Sequence, residues 1–378
     1  MSYDKNTIEA FLALVRLGLG FGTSKDAEIP KEVAWDELYQ LASEQSVLGL
    51  VLAGLERSDV KPPKPVLLQW IGEVQMLEHR NQAMNYFIGV VVEKMREAGI
   101  ETLLVKGQGV AHCYERPLWR SCGDVDFLLD VANYKKAKAF LTPLAASVDD
   151  EDTRKMHFGM TIDPWVVELH GRFPFAMSEK VERVVDEVIE IAHVNHMYLT
   201  DDMKSVAVPK ADEHVFLVFT HFLHHFFIEG VGLRQICDWC RMLWTYKDSL
   251  NYGLLESRIK RAGLMSEWKV FGAMAVEYLG MPEEAMPICD SSFRIQVLGS
   301  RVLARIIKIG NFGHNNDVSY RGKYSGFVAN MITFFRRMWD FMKFALLFPL
   351  DSPRFFVTYV RGKSEGLSRL HNILIINK

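Results

Sequence analysis

The sequence predicts an α+β fold, in which a small mixed β-sheet core lies between N-terminal helices and a C-terminal helical domain. Apolar residues recur at helical spacing through most of the first 98 residues. Short apolar runs bounded by Gly, Pro and charged residues follow, as is typical of strands, and helical spacing returns after about residue 205. We therefore expect an N-terminal helical region at 1–80, a core at 81–204 and a helical domain at 205–378.

The N-terminal region shows helical periodicity in two stretches. Residues 1–60 carry the first, and the prolines within 62–65 interrupt it. Residues 67–98 keep the same spacing up to Gly99, a residue type that often ends a helix because it adopts positive φ at little cost. A long helix, or a pair of helices, is expected immediately before the core.

The core is predicted to contain strands separated by short helices. The runs at 101–105 and 124–130 are short, apolar and flanked by polar residues, and the segment between them is long enough for a short helix. Two further runs, at 157–163 and 165–173, meet at an Asp-Pro pair, which is typical of a turn. These features predict a strand, helix, strand, helix order followed by a pair of strands.

Helical patterns predominate after the core. We expect helices at 213–227, 233–246, 254–262 and 266–279. An aromatic and basic stretch at 334–356 is compatible with lipid contact, with RNA contact and with core helices that expose arginines, so its role stays open. The apolar run at 341–350 is too short to span a bilayer and contains Lys343, so no stable membrane insertion is expected.

Composition favours a soluble globular protein of the cytoplasm. Hydrophobic residues make up 49% of the chain, charged residues 24%, and the net charge is −3, so neither long disorder nor a strong field for nucleic acid is indicated. The five cysteines are odd in number and scattered, unlike a secreted disulfide framework. The first residues lack the basic region and cleavage site of a signal peptide, so we expect none.

Two aspartates in the second strand-like run are the first candidate functional residues. Asp124 and Asp126 are two positions apart, so on a strand both carboxylates lie on one face, with Cα atoms about 6–7 Å apart. Glu168 is a third candidate if its strand lies beside the first. Three carboxylates suit divalent cations such as Mg²⁺ or Mn²⁺, which neutralise and align phosphates during phosphoryl transfer.

Basic and glycine residues near the aspartates are candidates for phosphate binding. Lys106 would supply a point charge at a strand-to-helix junction, where the backbone N–H groups of Gly107 and Gly109 would attract an anion. Gly123 directly precedes the first aspartate. Arg120, three residues earlier, is placed to contact a phosphate oxygen in a bidentate manner.

Three further polar residues are candidates for a substrate pocket. His170 shares a strand face with Glu168 and either contacts substrate, supports a metal ligand or has a structural role. Arg234 and Asp238 lie one helical turn apart, so their default arrangement is an ion pair with each other. The alternative is that Arg234 reaches a nucleotide or an acceptor.

A cluster of histidines and a cysteine pair are candidate zinc ligands. His221 lies three and four residues before His224 and His225, a spacing that places two imidazoles on one helix face. No H-E-x-x-H arrangement accompanies them, so lining a pocket is the favoured role. Cys237 and Cys240 form a solitary C-x-x-C within a helical pattern, which favours packing.

The segments containing these motifs resemble the bacterial family of proposed nucleotidyltransferases within the polymerase-β-type superfamily. The residues that meet the family pattern are Lys106, Gly107, Tyr114, Arg120, Gly123, Asp124, Asp126, Glu168 and His170. The helical segment at 221–243 is also similar, so the resemblance covers roughly residues 85–280. The wider superfamily has Gly-Gly or Gly-Ser as its first motif, closer to the aspartates than Lys106 and Gly107 are here.

The resemblance implies an enzyme that transfers a nucleoside monophosphate from a nucleoside triphosphate to an acceptor hydroxyl, with release of pyrophosphate. It implies Mg²⁺ or Mn²⁺ as cofactor, held by Asp124, Asp126 and Glu168, and leaves RNA, a protein and a small molecule open as acceptors. One alternative is a non-catalytic nucleotide-binding or interaction protein of the same fold. Another is a zinc-dependent hydrolase, whose site would comprise His221, His224, His225 and Asp238.

Overall fold

The chain begins with four helices. The structure is a computed structural model and describes residues 3–21, 28–153, 156–172, 177–200, 203, 205–311, 323, 326–349 and 353–357. The first helices are α1 (Lys5–Leu19), α2 (Trp35–Glu44), α3 (Leu48–Glu56) and α4 (Lys64–Glu97). Asp4 caps α1, since its carboxylate accepts from the N–H groups of Asn6 and Thr7. The helical prediction for this region is confirmed.

A five-stranded sheet follows. Its strands are β1 (Leu103–Val105), β2 (Asp124–Leu128), β3 (Ser147–Val148), β4 (His157–Ile162) and β5 (Trp165–His170). They lie in the order β1-β2-β5-β4-β3, with β2 and β5 parallel and the other neighbours antiparallel. The sheet is therefore mixed, which confirms the predicted α+β class. The last strand ends at His170, and residue 173 of the predicted run lies outside the described residues.

The connections between strands include helices, one of which the sequence analysis did not predict. The helices are α5 (Gly107–Ala111), α6 (Val131–Leu141) and α7 (Glu179–Val194), and α7 is the unpredicted one. A two-stranded antiparallel sheet follows, formed by β6 (His196–Leu199) and β7 (Val206–Pro209). These two strands were also not predicted. Helix α4 crosses residue 80, and the division into three domains stays a prediction.

Helices form the rest of the described chain. They are α8 (Ala211–Ile228), α9 (Leu233–Tyr246), α10 (Tyr252–Ala262), α11 (Met265–Leu279), α12 (Phe293–Ile309) and α13 (Gly326–Leu347). The predicted helices of this region are confirmed, and residues 358–378 lie outside the described residues. Cys237 and Cys240 are buried free thiols in α9, in agreement with a packing role. Within the described residues, no helix has both the length and the apolar character to cross a membrane.

The alternation of side chains along β2 decides which residues face the site. Val125 and Phe127 are buried in a hydrophobic cluster that includes Ile88 of α4 and Tyr134 of α6. Because successive strand residues point to opposite faces, Asp124 and Asp126 point away from that cluster. The opposite face of the sheet is where α8 and α9 supply residues to a common pocket with both aspartates.

Helices α1 and α3 cross at a distance that only glycine permits. A Cβ atom on Gly54 would lie 2.0 Å from the carbonyl oxygen of Leu14, and one on Gly18 would lie 2.1 Å from that of Leu50. Backbone atoms cannot turn aside as a flexible side chain can. The small residues therefore fix how closely the two helices pack.

Gly54→Ala is expected to lower the free energy of unfolding by about 1–3 kcal/mol, because the helices must separate to admit a methyl group. Gly72→Ala in α4 is the matched control, since its added Cβ meets no atom within 4 Å. That change is expected to stabilise by up to about 1 kcal/mol through better helix propensity. Urea denaturation measures both, and equal effects of the two changes would contradict the close crossing.

Candidate active site

Adjacent parallel strands bring three carboxylates together. Asp126 of β2 lies opposite Glu168 of β5 in the sheet register, and Asp124 lies two residues before Asp126 on the same face. One oxygen from each carboxylate lies within 4.8 Å of the other two. The strand of the two aspartates and the strand of Glu168 are neighbours, as expected. The three predicted residues therefore form a group that can hold a divalent cation.

The buried carboxylate of Asp126 is the centre of this group. Its Oδ1 lies 2.6 Å from Nζ of Lys106 and 2.8 Å from Nε2 of His170. Burial opposes the charge of Asp126, but Lys106 and His170 outweigh it and hold the pKa of the carboxyl below its usual range. In turn, burial disfavours the imidazolium of His170, yet its bonds to Asp126 and Glu168 raise its pKa.

The other two carboxyls respond differently to their surroundings. The negative charge of Asp126, together with burial, raises the pKa of Asp124. Burial also opposes the charge of Glu168, but hydrogen bonds from His157 and His170 lower its pKa strongly. The site thus concentrates negative charge most strongly between the two aspartates, where a divalent cation would relieve their repulsion.

An unusual backbone turn directs Lys106 into the site. Lys106 has φ 57° and Gly107 has φ 40°, so two successive residues adopt positive φ where α5 begins. The ammonium group of Lys106 then lies against Asp126 and 3.0 Å from Nε2 of His221. Burial disfavours its charge, but Asp126, Asp124 and Glu168 outweigh that effect and raise the pKa of Lys106.

The three predicted glycines occupy different surroundings. Gly107 lines the pocket beside the aspartates. Gly109 lies against β1, where an added Cβ would be 3.0 Å from the carbonyl oxygen of Leu104, a tight contact with backbone. Gly123 is exposed just before β2, and an added Cβ there would meet no atom within 4 Å.

The prediction that Arg234 and Asp238 form an ion pair with each other is wrong. Asp238 instead accepts two bonds from Arg120, at 3.0 Å from Nε and 2.6 Å from Nη2, and a third from the hydroxyl of Tyr114. Arg234 donates from Nη1 to the carbonyl oxygen of Ser121. The rigid guanidinium fork of Arg120 matches both carboxylate oxygens, which outweighs the local i,i+4 preference.

Most of the predicted site residues line one pocket. It lies between the β1–α5 turn, β2, α8 and α9, and its polar lining includes Lys106, Asp124, Asp126, Arg120, His221, Arg234 and Asp238. Nε of Arg234 is buried without a hydrogen-bond partner. Burial, reinforced by the charge of Arg120, lowers the pKa of Arg234. Arg120 and Arg234 also line a neighbouring pocket that α1 and α3 help to enclose.

The comparison with known families agrees with this geometry. A family described as uncharacterised nucleotidyltransferase matches residues 31–280, which is more than half of the chain. The chain belongs to this uncharacterised nucleotidyltransferase family. The resemblance found in the motifs is thereby confirmed, and the matched residues contain the whole five-stranded sheet. No curated protein and no solved structure matches the chain.

The alternative zinc site would comprise the histidines of α8 and Asp238, and the structure places two of these histidines side by side. Nε2 of His225 lies 3.3 Å from Nε2 of His221, which also contacts Lys106. Burial and the charge of Lys106 hold the pKa of His221 well below its usual range, so its neutral ring accepts from the ammonium group. Among the described residues, the groups of three or more candidate metal ligands contain neither these histidines nor Asp238.

His157 is a site residue of this nucleotidyltransferase-family chain that was not predicted from the sequence. This residue begins β4 and lies opposite His170 in the antiparallel register of β4 and β5. Its Nε2 lies 3.2 Å from Oε2 of Glu168. The segment that contains it was predicted only to be a strand. A histidine at the start of the strand that precedes the Glu168 strand, placed to pair with His170, is the feature that could have indicated it.

Proposed function

We propose that the protein transfers a nucleoside monophosphate from a nucleoside triphosphate to an acceptor hydroxyl and releases pyrophosphate. Membership of the family supports nucleotidyl transfer in general. The observation that carries the proposal is the convergence of Asp124, Asp126 and Glu168, with one oxygen of each within 4.8 Å of the others. Mg²⁺ or Mn²⁺ held there would neutralise the phosphates and align the reacting oxygens.

Each carboxylate has a role that follows from its position. Asp124 and Asp126 share one strand face and are proposed to bind both ions, while Glu168 on the neighbouring strand positions the ion beside the acceptor. The lowered pKa of Asp126 and of Glu168 keeps both carboxylates charged and ready to bind a cation. The raised pKa of Asp124 reflects repulsion by Asp126, which a bound cation would reduce.

The basic residues of the pocket are proposed to hold the leaving phosphates. Lys106 is already within reach of the carboxylates, and the backbone of Gly107 lines the same pocket. Arg120 uses two of its nitrogens on Asp238, whereas Nε of Arg234 has no partner. We therefore assign the principal guanidinium contact with phosphate to Arg234, with Arg120 holding the pocket wall.

A non-catalytic nucleotide-binding protein is the second candidate. The observation that favours it is the bonding of Asp126, whose Oδ1 contacts both Lys106 and His170. A metal ion stabilises a carboxylate that already has two such partners less than it stabilises a carboxylate that faces only water. This candidate predicts nucleotide binding that depends weakly on Mg²⁺ and no transfer of label.

The test uses nucleoside triphosphates labelled at the α or the γ phosphorus, incubated with the protein, Mg²⁺ and a bacterial cell extract as the source of acceptors. We expect Mg²⁺-dependent transfer of the α label to RNA, protein or a small molecule, and no transfer of the γ label. The Asp124→Asn, Asp126→Asn double variant is the control and should transfer neither. Transfer of the γ label would indicate phosphoryl transfer instead, and binding without any transfer would favour the non-catalytic candidate.

A further inference from the structure

Three side chains beside the carboxylate group converge on one point. Oε2 of Glu168 lies 3.2 Å from Nε2 of His157 and 3.4 Å from Nε2 of His170. One candidate ligand atom from each of the three residues lies within 4.8 Å of the other two. The sheet places them there, because His157 pairs with His170 across β4 and β5, and Glu168 lies two residues before His170 on the same face.

These separations agree with those of ligands around a single ion. Zinc binds histidine nitrogen at about 2.0–2.1 Å and carboxylate oxygen at about 2.0–2.2 Å, so neighbouring ligand atoms of a tetrahedral site lie about 3.3 Å apart. Both imidazoles of the cluster present Nε2 to the same carboxylate oxygen. The two observed distances, 3.2 and 3.4 Å, are close to the separation of neighbouring ligand atoms in a tetrahedral site.

We propose that His157, Glu168 and His170 form a second metal site, for a divalent ion such as Zn²⁺ that accepts imidazole ligands. Imidazole nitrogen is a ligand that such ions accept readily, whereas Mg²⁺ and Ca²⁺ favour oxygen ligands. Three protein ligands leave a fourth position for water or a substrate hydroxyl. The side chain of His170 is buried, while those of His157 and Glu168 are about one third exposed, which gives the ion access from solvent.

The second site can coexist with the carboxylate site. Within the described residues, the bonds of Glu168 to the two histidines use Oε2. Its second oxygen, Oε1, is then available to the cation held with Asp124 and Asp126, so that Glu168 can serve both sites. The inference rests on the three ligands alone and does not require nucleotidyl transfer.

Metal binding by the purified, chelator-treated chain tests the inference directly. The chain is dialysed against Zn²⁺, the bound metal is counted by mass spectrometry, and the spectrum of bound Co²⁺ reports nitrogen ligands. His157→Ala is expected to weaken Zn²⁺ binding by at least about 10–100-fold, the range typical for changes around a metal site. His196→Ala is the matched control, since this partly exposed histidine lies in β6 and contacts Tyr198 and the carbonyl of His193.

A second variant separates metal binding from a structural hydrogen bond. His157→Gln keeps a donor for Glu168 but supplies no imidazole, so it should retain the melting temperature and lose Zn²⁺ as His157→Ala does. Stoichiometric Zn²⁺ in the natural chain and in His196→Ala, with loss in both His157 variants, supports the site. Absence of Zn²⁺ from the natural chain, or equal affinity in the His157 variants, overturns it. Neither result depends on nucleotide, so the proposed function is judged separately.

Discussion

Asp126→Asn is expected to lower Mg²⁺-dependent nucleotidyl transfer by at least about 10³-fold. Asp126 is a buried carboxylate at the centre of the site, where it lies opposite Glu168 and contacts Lys106 and His170. A metal ion contributes several kcal/mol of charge stabilisation to the transition state, and each 1.36 kcal/mol corresponds to a factor of ten. Asparagine keeps the size of the side chain but removes the charge, so the loss reports on cation binding.

The measurement is kcat/KM for transfer of the α-labelled nucleotide, once an acceptor has been found. Asp150→Asn is the matched control, because Asp150 is exposed and lies outside both candidate metal-binding groups. It should leave the rate unchanged. A loss of less than tenfold in Asp126→Asn, with its melting temperature preserved, would mean that catalysis does not depend on this carboxylate.

The second large effect concerns stability. Asp238→Ala is expected to lower the free energy of unfolding by about 3–5 kcal/mol, because it leaves the guanidinium of Arg120 buried without a counter-charge. Both side chains of the pair are almost fully buried, at 4% and 6% exposure. The hydroxyl of Tyr114 also loses its acceptor. Urea denaturation followed by circular dichroism measures the change.

Two controls identify the source of that loss. Replacing both partners, by Arg120→Met with Asp238→Leu, should recover most of the stability, because no unpaired charge remains. Glu187→Ala breaks the exposed pair of Glu187 with Arg261, where both side chains are about half exposed, and should cost about 0–1 kcal/mol. A cost of that small size for Asp238→Ala would show that the buried pair does not support the fold.

Much of the fold could be predicted because local patterns report it. The spacing of Asp124 and Asp126 indicated a shared strand face, and the helices after the core followed from periodicity. The proximity of Glu168 could not be obtained in this way. It depends on β2 and β5 lying side by side in parallel, although 36 residues separate the two strands in the sequence. The resemblance to the nucleotidyltransferase family is what indicated that Glu168 belongs with the two aspartates.

Other features were missed although a local signal existed. Helix α7 is capped by Ser178 and buries residues at helical spacing, namely Val181, Val184, Val185, Val188, Ile189 and Ala192. The many β-branched residues of α7 obscured this helical periodicity, because such residues favour strands intrinsically. The error over Arg234 had a different cause. Local i,i+4 spacing carries no information about Arg120, which reaches Asp238 from 118 positions away.

Calorimetric titration of each nucleoside triphosphate, with and without Mg²⁺, tests the central claim most directly. It compares the natural chain with the Asp124→Asn, Asp126→Asn double variant, whose melting temperature is checked first. The carboxylate site predicts binding that requires Mg²⁺ in the natural chain and is lost in the variant. Equal binding by the folded variant, or no binding by the natural chain, would contradict the assignment of Asp124 and Asp126 as the residues that hold the metal and its nucleotide.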